Sequence, residues 1–378
     1  MGRGFSPIDD YVATGIMNTA NEIKTFLKRF RLLLLVLVVV LTIVIVQALQ
    51  IFYGANDFED VPQKTFFVSR GDTFASIVDS LEALGIIRSR ELFVFAAKFY
   101  GGTEKIHVGK YVFDSGISNV DLFLALREGD GAKLISVRLP EGSRSKTQAA
   151  ILAHTIGIDS ARYVDLAHDK SFIHSFGIDA QSLEGYLLPE TYSFYWQPNE
   201  EYVIRRLVDQ FRLFYDDSLQ ARAEMFGWTT NQVVTLASIV EGEAVLDEER
   251  ATISGVYHSR LRRRMRLEAD PTIQFIMEGG PRRVLYSDLK IDHPYNTYRN
   301  RGLPPGPVNN PGKASILAAL FPAKHKYLFF VANGDGGHWF STNYSGHLRN
   351  VRKYRKNRTV RTLQALSQTE SSKDTKSD

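Results

Sequence analysis

Residues 233–244 read VVTLASIVEGEA, and the rest of the chain is best read outward from them. Val233, Leu236, Ala237, Val240 and Ala244 recur at steps of three and four, which stacks them on one face of a helix. Thr229 or Thr230 can cap its start, because a hydroxyl there accepts an orphan backbone N–H. At about 100° per residue, Glu241 falls on one edge of the apolar face and Glu243 on the opposite edge. The two carboxylates should therefore point apart. Gly242 between them weakens the helix and permits a break or a close approach. A carboxyl at the border of an apolar face is partly desolvated, which favours its protonated form and suits a general acid. The same pattern also fits a plain solvated helix end.

The 378 residues suffice for two or three domains with real cores. Lys and Arg number 46 against 42 Asp and Glu, a net charge of +4 that is too small an excess to imply nucleic acid. With no cysteine in the chain, disulfides, thiolate metal sites and a cysteine nucleophile are excluded. No HExxH or paired His–carboxylate spacing accompanies His338 or His347, so no metal is expected. Neither a G-x-S-x-G elbow nor a Gly-rich phosphate loop occurs, and no cofactor is expected.

Residues 1–31 are mixed and polar, ending in a basic cluster of Lys24, Lys28, Arg29 and Arg31. An apolar run from Leu32 to Val46 follows and continues more loosely to Phe52. Residues 32–53 thus have the length of a bilayer-spanning helix. Asp57, Glu59 and Asp60 lie on the far flank. Basic residues before the span and acidic ones after it place the N-terminus in the cytoplasm and the remainder outside. A cleaved signal peptide fits less well, because the run is long and begins late.

After a linker at 54–64, residues 65–139 read as a small α+β subdomain. A strand at Thr65–Val68 leads through a cap at Gly71-Asp72-Thr73 to helices at 74–84 and 89–100. A strand at 108–113, a helix at 120–127 and a strand at 134–139 complete it. This strand–helix–helix–strand order resembles the LysM-like modules that grip N-acetylated sugar chains. A purely structural unit would look the same.

Residues 140–355 read as a larger mixed α/β domain. Glu141-Gly142-Ser143 and Ser145 start one helix, and Ser160 caps another. The loop 183–192, LEGYLLPETY, gathers Glu184, Tyr186, Glu190 and Tyr192. Aromatic faces beside carboxylates suit a sugar cleft, although ordinary packing is the better reading of that loop alone. Asn199 caps a helix from Glu200 to about Leu213. Acidic Asp247, Glu248 and Glu249 open a further helix and Arg260, Arg262, Arg263 and Arg264 close it, as the dipole and a solvated face prefer. Asp270-Pro271-Thr272 reads as a turn. Residues 302–307, GLPPGP, and the Asn310-Pro311-Gly312 turn form rigid loops, where sites are often built. A helix at 315–320 precedes a hairpin of 327–332 with 338–341. Residues 356–378 form a polar tail expected to be disordered.

Several of these segments occur together in one known order. Residues 236–243 (LASIVEGE), 270–272 (DPT), 295–298 (YNTY), 302–306 (GLPPG) and 310–312 (NPG) follow one another as in the endolytic murein transglycosylases of the MltG/YceG-like type, which this chain resembles over about Thr65 to Tyr354. Residues 184–192 match that family's aromatic loop, and 332–338 its final hairpin. The family often has lysine between the two glutamates, where this chain has Gly242. The resemblance implies an α+β fold behind a single membrane helix, with Glu241 as the catalytic acid. It offers Glu190, Glu243, Tyr295, Asn296 and Tyr298 as candidates for holding sugars.

The implied reaction cleaves the β-1,4 bond between N-acetylmuramic acid and N-acetylglucosamine inside nascent glycan strands. It leaves 1,6-anhydro ends and terminates strand elongation. The implied setting is the cytoplasmic (inner) membrane, with the catalytic domain outside. The expected partners are peptidoglycan strands, the membrane and glycan-polymerising penicillin-binding proteins. The competing readings are a non-catalytic, membrane-anchored peptidoglycan-binding scaffold and a true muramidase.

Overall fold

A computed structural model describes residues 7–59, 61–102, 106–277 and 282–357. The chain divides after Lys133 into two compact units. The first begins with one long helix, α1 (Pro7–Tyr53). Its portion Lys24–Tyr53 is long and apolar enough to cross a membrane, and none of its most apolar window is buried. The Thr42 hydroxyl donates to the Val38 carbonyl at 2.8 Å, which satisfies a polar group within the apolar run. The change from polar to apolar sequence at 31/32 is no structural boundary, because the helix runs through it.

Beyond α1 come β1 (Ala55–Asn56), β2 (Gln63–Val68), α2 (Phe74–Ala83), α3 (Arg90–Phe99), β3 (Gly109–Asp114), β4 (Ile117–Ser118) and α4 (Asn119–Glu128). Strands β2 and β3 pair antiparallel from Gln63↔Asp114 to Val68↔Gly109. Phe66 and Val68 face the same side and pack with Tyr111, Phe113, Leu81, Phe93 and Phe123, as period-two alternation requires. Thr73 starts α2 in a capping box with Ser76. At the end of α1, the Phe52 ring meets Phe95, Phe99 and Tyr100 at 5.1–5.9 Å between centroids.

The second unit contains β5 (Ile135–Arg138), α5 (Ser145–Ile156), α6 (Ser160–His168), α7 (Lys170–His174), β6 (Thr191–Phe194), α8 (Glu200–Phe214), α9 (Asp217–Glu224) and α10 (Thr230–Glu243). There follow α11 (Arg250–Arg262), α12 (Asp270–Ile276), α13 (Lys313–Leu320), β7 (Phe329–Ala332) and β8 (His338–Ser341). Strand β5, expected as the last piece of the first subdomain, belongs here instead. It pairs antiparallel with β6 from Ile135↔Phe194 to Arg138↔Thr191. The β7–β8 hairpin runs from Phe329↔Ser341 to Ala332↔His338.

Two apolar cores lie side by side in this unit, and two segments serve both. In the loop before β6, Leu183 and Leu187 enter the core of α5, α6 and α8, while Tyr186 and Leu188 enter the core around α10. Helix α8 does the same, with Leu207 in the former and Phe211 in the latter.

Three expectations need correction. Helix α10 is not half-exposed, because every residue from Val233 to Val240 is buried. Its polar members tolerate this by bonding locally. Thr235 Oγ1 donates to Asn231 O at 2.6 Å, and Ser238 Oγ donates to Thr235 O at 2.8 Å while accepting from Val308 N at 3.0 Å. Asp270-Pro271-Thr272 is the first turn of α12 rather than a free turn, with proline where its missing N–H costs nothing. Asp159, not Ser160, caps α6. Of the polar tail at 356–378, residues 356–357 are helical and the rest lies outside the described residues.

Candidate active site

Thr229 opens α10 with a capping box to Gln232, and the last turn of the helix delivers Glu241. The Glu241 side chain is only 7% exposed. Its Oε1 accepts from Arg250 Nη1 at 3.0 Å, and its Oε2 accepts from the Gly312 backbone N–H at 2.9 Å. The Arg250 guanidinium is 8% exposed and also donates to Asp247 Oδ1 at 2.9 Å and Ser315 Oγ at 2.6 Å. Such charge-assisted bonds are the strong ones and fix a carboxylate in place.

A second carboxylate stands beside this pair. Glu141 Oε2 lies 4.0 Å from Arg250 Nη2, and its side chain is 50% exposed. A Cβ on Gly312 would collide with the Glu141 carboxylate, so glycine there leaves room for it. Burial, and next the charge of Glu241, push the Glu141 carboxyl up from its ordinary value. Gly142 takes φ +70, a left-handed turn that glycine allows, and a Cβ there would sit 3.3 Å from Glu241 Cγ. The Asn310-Pro311-Gly312 turn is clamped to this corner. Gly142 N donates to Asn310 O at 2.9 Å, and Asn310 Nδ2 donates to Ser143 O at 3.0 Å.

The β5–β6 ladder brings Glu190 alongside, through Leu139 N donating to Glu190 O at 3.0 Å. Glu190 pairs with Lys313 Nζ at 2.6 Å. With Arg138, Glu141 and Thr191 it borders a cleft of about 660 Å³. Neighbouring Asn309 donates from Nδ2 to Ser238 O at 2.9 Å, and its Oδ1 is buried without a hydrogen-bond partner.

Glu243 points elsewhere, as the helical angle requires. Its Oε1 accepts from Tyr257 Oη at 3.1 Å. Burial, and next the charge of Asp270, push its carboxyl up to about 7. Tyr298 Oη donates to Asp270 Oδ1 at 2.6 Å, so Tyr298 joins the Glu243 cluster rather than the Glu241 corner. Gly242 permits the close approach expected of it, because a Cβ there would lie 2.5 Å from Pro271 Cγ.

Tyr295 stacks on Phe275 at 4.7 Å between centroids, and the Arg144 guanidinium lies 5.0 Å from the centre of the Phe275 ring. Asn296 cannot hold a sugar in this structure. It is 0% exposed, its Nδ2 donates to Leu289 O and Ile291 O, and its Oδ1 accepts from Tyr298 N. It shapes the loop that presents Tyr295 and Tyr298.

Glu184 and Tyr186 are likewise packed rather than open. Glu184 accepts from Ser145 N and Oγ and from Asn310 Nδ2. His338 Nδ1 meets Glu249 Oε2 at 2.7 Å, a pairing in space that no sequence spacing announced. Among the described residues no group of three or more His, Asp or Glu side chains could hold a metal ion.

The sequence reading missed Arg250, Glu141 and Lys313. Arg250 carried a usable signal, since a cation in the first turn of a helix opposes the dipole and needs nearby anions. Arg260, expected on a solvated face, is buried and donates to Leu328 O and Leu267 O. Glu141 carried no signal beyond a charged residue in a Pro–Gly turn.

The YceG-like family profile matches residues 66–353. An endolytic murein transglycosylase of Bacillus subtilis (strain 168) is 29% identical over 301 residues, covering 76% of this chain and 83% of that protein. One of Streptococcus pneumoniae (strain D39) is 28% identical over 321 residues, covering 76% of this chain but only 57% of its own length. A crystal structure of a YceG-like protein from Listeria monocytogenes superposes with a TM-score of 0.56 at 28% identity, covering 76% of this chain and 98% of that one. The buried glutamate corner thus sits in a mixed helix-and-strand fold shared with a protein of known structure. The chain belongs to the YceG-like family.

Proposed function

We infer that this protein is an endolytic peptidoglycan transglycosylase with Glu241 as its catalytic acid. The observation that carries the assignment of Glu241 is its position. It is a nearly covered carboxylate at the end of a buried helix, gripped by Arg250 and the Gly312 N–H, in a chain whose relatives bear that activity in their names.

In this reading the glycan enters along the cleft by Glu141 and Glu190, and the Glu241–Arg250 pair opens. Protonated Glu241 donates to the glycosidic oxygen between muramic acid and glucosamine as the C1–O4 bond breaks. The muramic C6 oxygen closes on C1, and its proton passes to the same carboxylate. The nucleophile belongs to the substrate, so no water need be positioned and the products are 1,6-anhydro ends. Glu190 and Tyr295 hold sugars, while Tyr298 and Glu243 support the end of the helix.

Helix α1 anchors the enzyme in the cytoplasmic membrane with its N-terminus inside, on the strength of the basic cluster before the span and the acidic residues after it. The α+β unit of β2, α2, α3 and β3 acts as a LysM-like glycan grip, and its antiparallel strand–helix–helix–strand order supports that role. Penicillin-binding synthases supply the nascent strands.

Mass spectrometry of glycan strands digested by the full-length protein tests the assignment. Anhydro-muramyl ends are expected from the native protein, and none from Glu241→Gln. Reducing muramic ends would mark a muramidase instead, and no new ends would mark a scaffold. Normal product release by Glu241→Gln would remove Glu241 from the mechanism.

A further inference from the structure

The Glu241 corner contains a feature that a one-carboxylate scheme leaves idle. Glu141 and Glu241 converge on one glycine and share one guanidinium. Gly312 donates its N–H to Glu241 and leaves the space that the Glu141 carboxylate fills. Arg250 sits 3.0 Å from Glu241 and 4.0 Å from Glu141. The two differ in access. Glu241 is almost closed off, while Glu141 is half-exposed and borders the cleft that Glu190 also lines.

We propose that Glu141 is the proton-holding partner of Glu241, lying between the cleft and the closed corner and supplying the proton while Glu241 is engaged by Arg250. The proposal rests on the transglycosylase reading. Its proton balance closes over one turnover. The pair begins with one proton, on Glu141. That proton passes to Glu241 and on to the leaving O4 oxygen as C1–O4 breaks. The C6 hydroxyl proton enters Glu241 as C1–O6 forms and returns to Glu141 when Arg250 re-engages. No water, oxidant or external acid is consumed.

The charged groups around Glu141 favour this division of labour. Glu241 from α10, Asp247 from the turn before α11 and Glu190 from the loop before β6 all raise its affinity for a proton. Arg250 from α11 opposes them, and together with burial, the largest cause, the net direction is upward. Three carboxylates, those of Glu141, Glu241 and Asp247, face a single guanidinium, and like charges at close range cannot all ionise without cost, which favours a proton held among them.

Glu141→Gln keeps the shape and removes the titrating group. In full-length enzyme kept in detergent, its kcat on glycan strands should fall by about 100-fold or more, the usual scale of acid–base assistance. Any change in KM or in pull-down on insoluble peptidoglycan should be small beside the fall in kcat. The alkaline limb of the native pH–kcat profile should be altered in the variant, and Glu141→Asp should recover part of kcat. Thermal unfolding of each variant guards against misfolding, since a half-exposed side chain tolerates this swap.

A wild-type kcat in Glu141→Gln, or a loss confined to KM, would overturn the proposal. If native enzyme cuts and Glu241→Gln does not, that failure touches Glu141 alone. If native enzyme makes no new ends, the reaction itself has been misread.

Discussion

Raising the pH should destabilise this protein through Glu243. Burial and the nearby Asp270 charge move its carboxyl from 4.5 to about 7 in the folded chain. The unfolded chain releases that proton near 4.5, whereas the folded chain keeps it to about 7. Between those values the folded state binds more protons, so stability falls as pH rises. The contribution is whole below 4.5 and is gone once the pH passes through about 7. At 1.36 kcal/mol per pH unit this is worth roughly 3 kcal/mol. Glu243 keeps some solvent contact, and after screening about 2 kcal/mol is the working figure. For a domain of this size that is a fall in Tm of roughly 4–8 °C. Thermal unfolding of full-length protein in detergent from pH 5 to pH 8 measures it, with Glu243→Gln as the comparison. Glutamine still accepts from Tyr257 but cannot ionise, so its Tm should be flatter over that range. A variant as steep as the native protein would refute the reasoning.

Asn310→Ala should cost about 3 kcal/mol by chemical denaturation, because it strips a donor from buried Glu184 and an acceptor from Gly185 N and Leu187 N. Gly185→Ala should be similarly harmful, at roughly 2–4 kcal/mol. Its φ is +87 and the new Cβ would stand 2.5 Å from Pro307 Cγ, so an unchanged denaturation midpoint would show that Pro307 yields easily.

Much of the second unit was legible because apolar spacing is a local property. Helix α10 and the divergence of Glu241 from Glu243 follow from the helical angle, and Thr229 is one of the two caps that the sequence left open. The hairpin of β7 and β8 follows from alternation around Asn333-Gly334. What escaped depends on partners distant in sequence. Strand β6 is four residues hidden inside a loop rich in Pro and Glu, and only its pairing with β5 makes it a strand. Asn296 is offered as a sugar ligand by the resemblance alone, yet its amide is used up within its own loop. Arg260 looked solvated because charge normally is, and Arg250 was passed over. Their burial depends on acceptors such as Glu241, Ser315 and Leu328 that no local pattern reveals. Glu141 reaches the Glu241 corner only because Asn310 draws the Pro140–Ser143 turn against it.

That clamp has a temporal consequence. The bonds that complete the cradle of Glu241 come from Gly312, 71 positions downstream, and Asn310 reaches back 167 positions to Ser143. A chain still being made lacks these closing pieces until residue 312 has emerged. Contacts so remote along the polypeptide form late in folding. A partly made molecule therefore holds Glu241 without its cradle, and the corner is complete only once its distant turn has arrived.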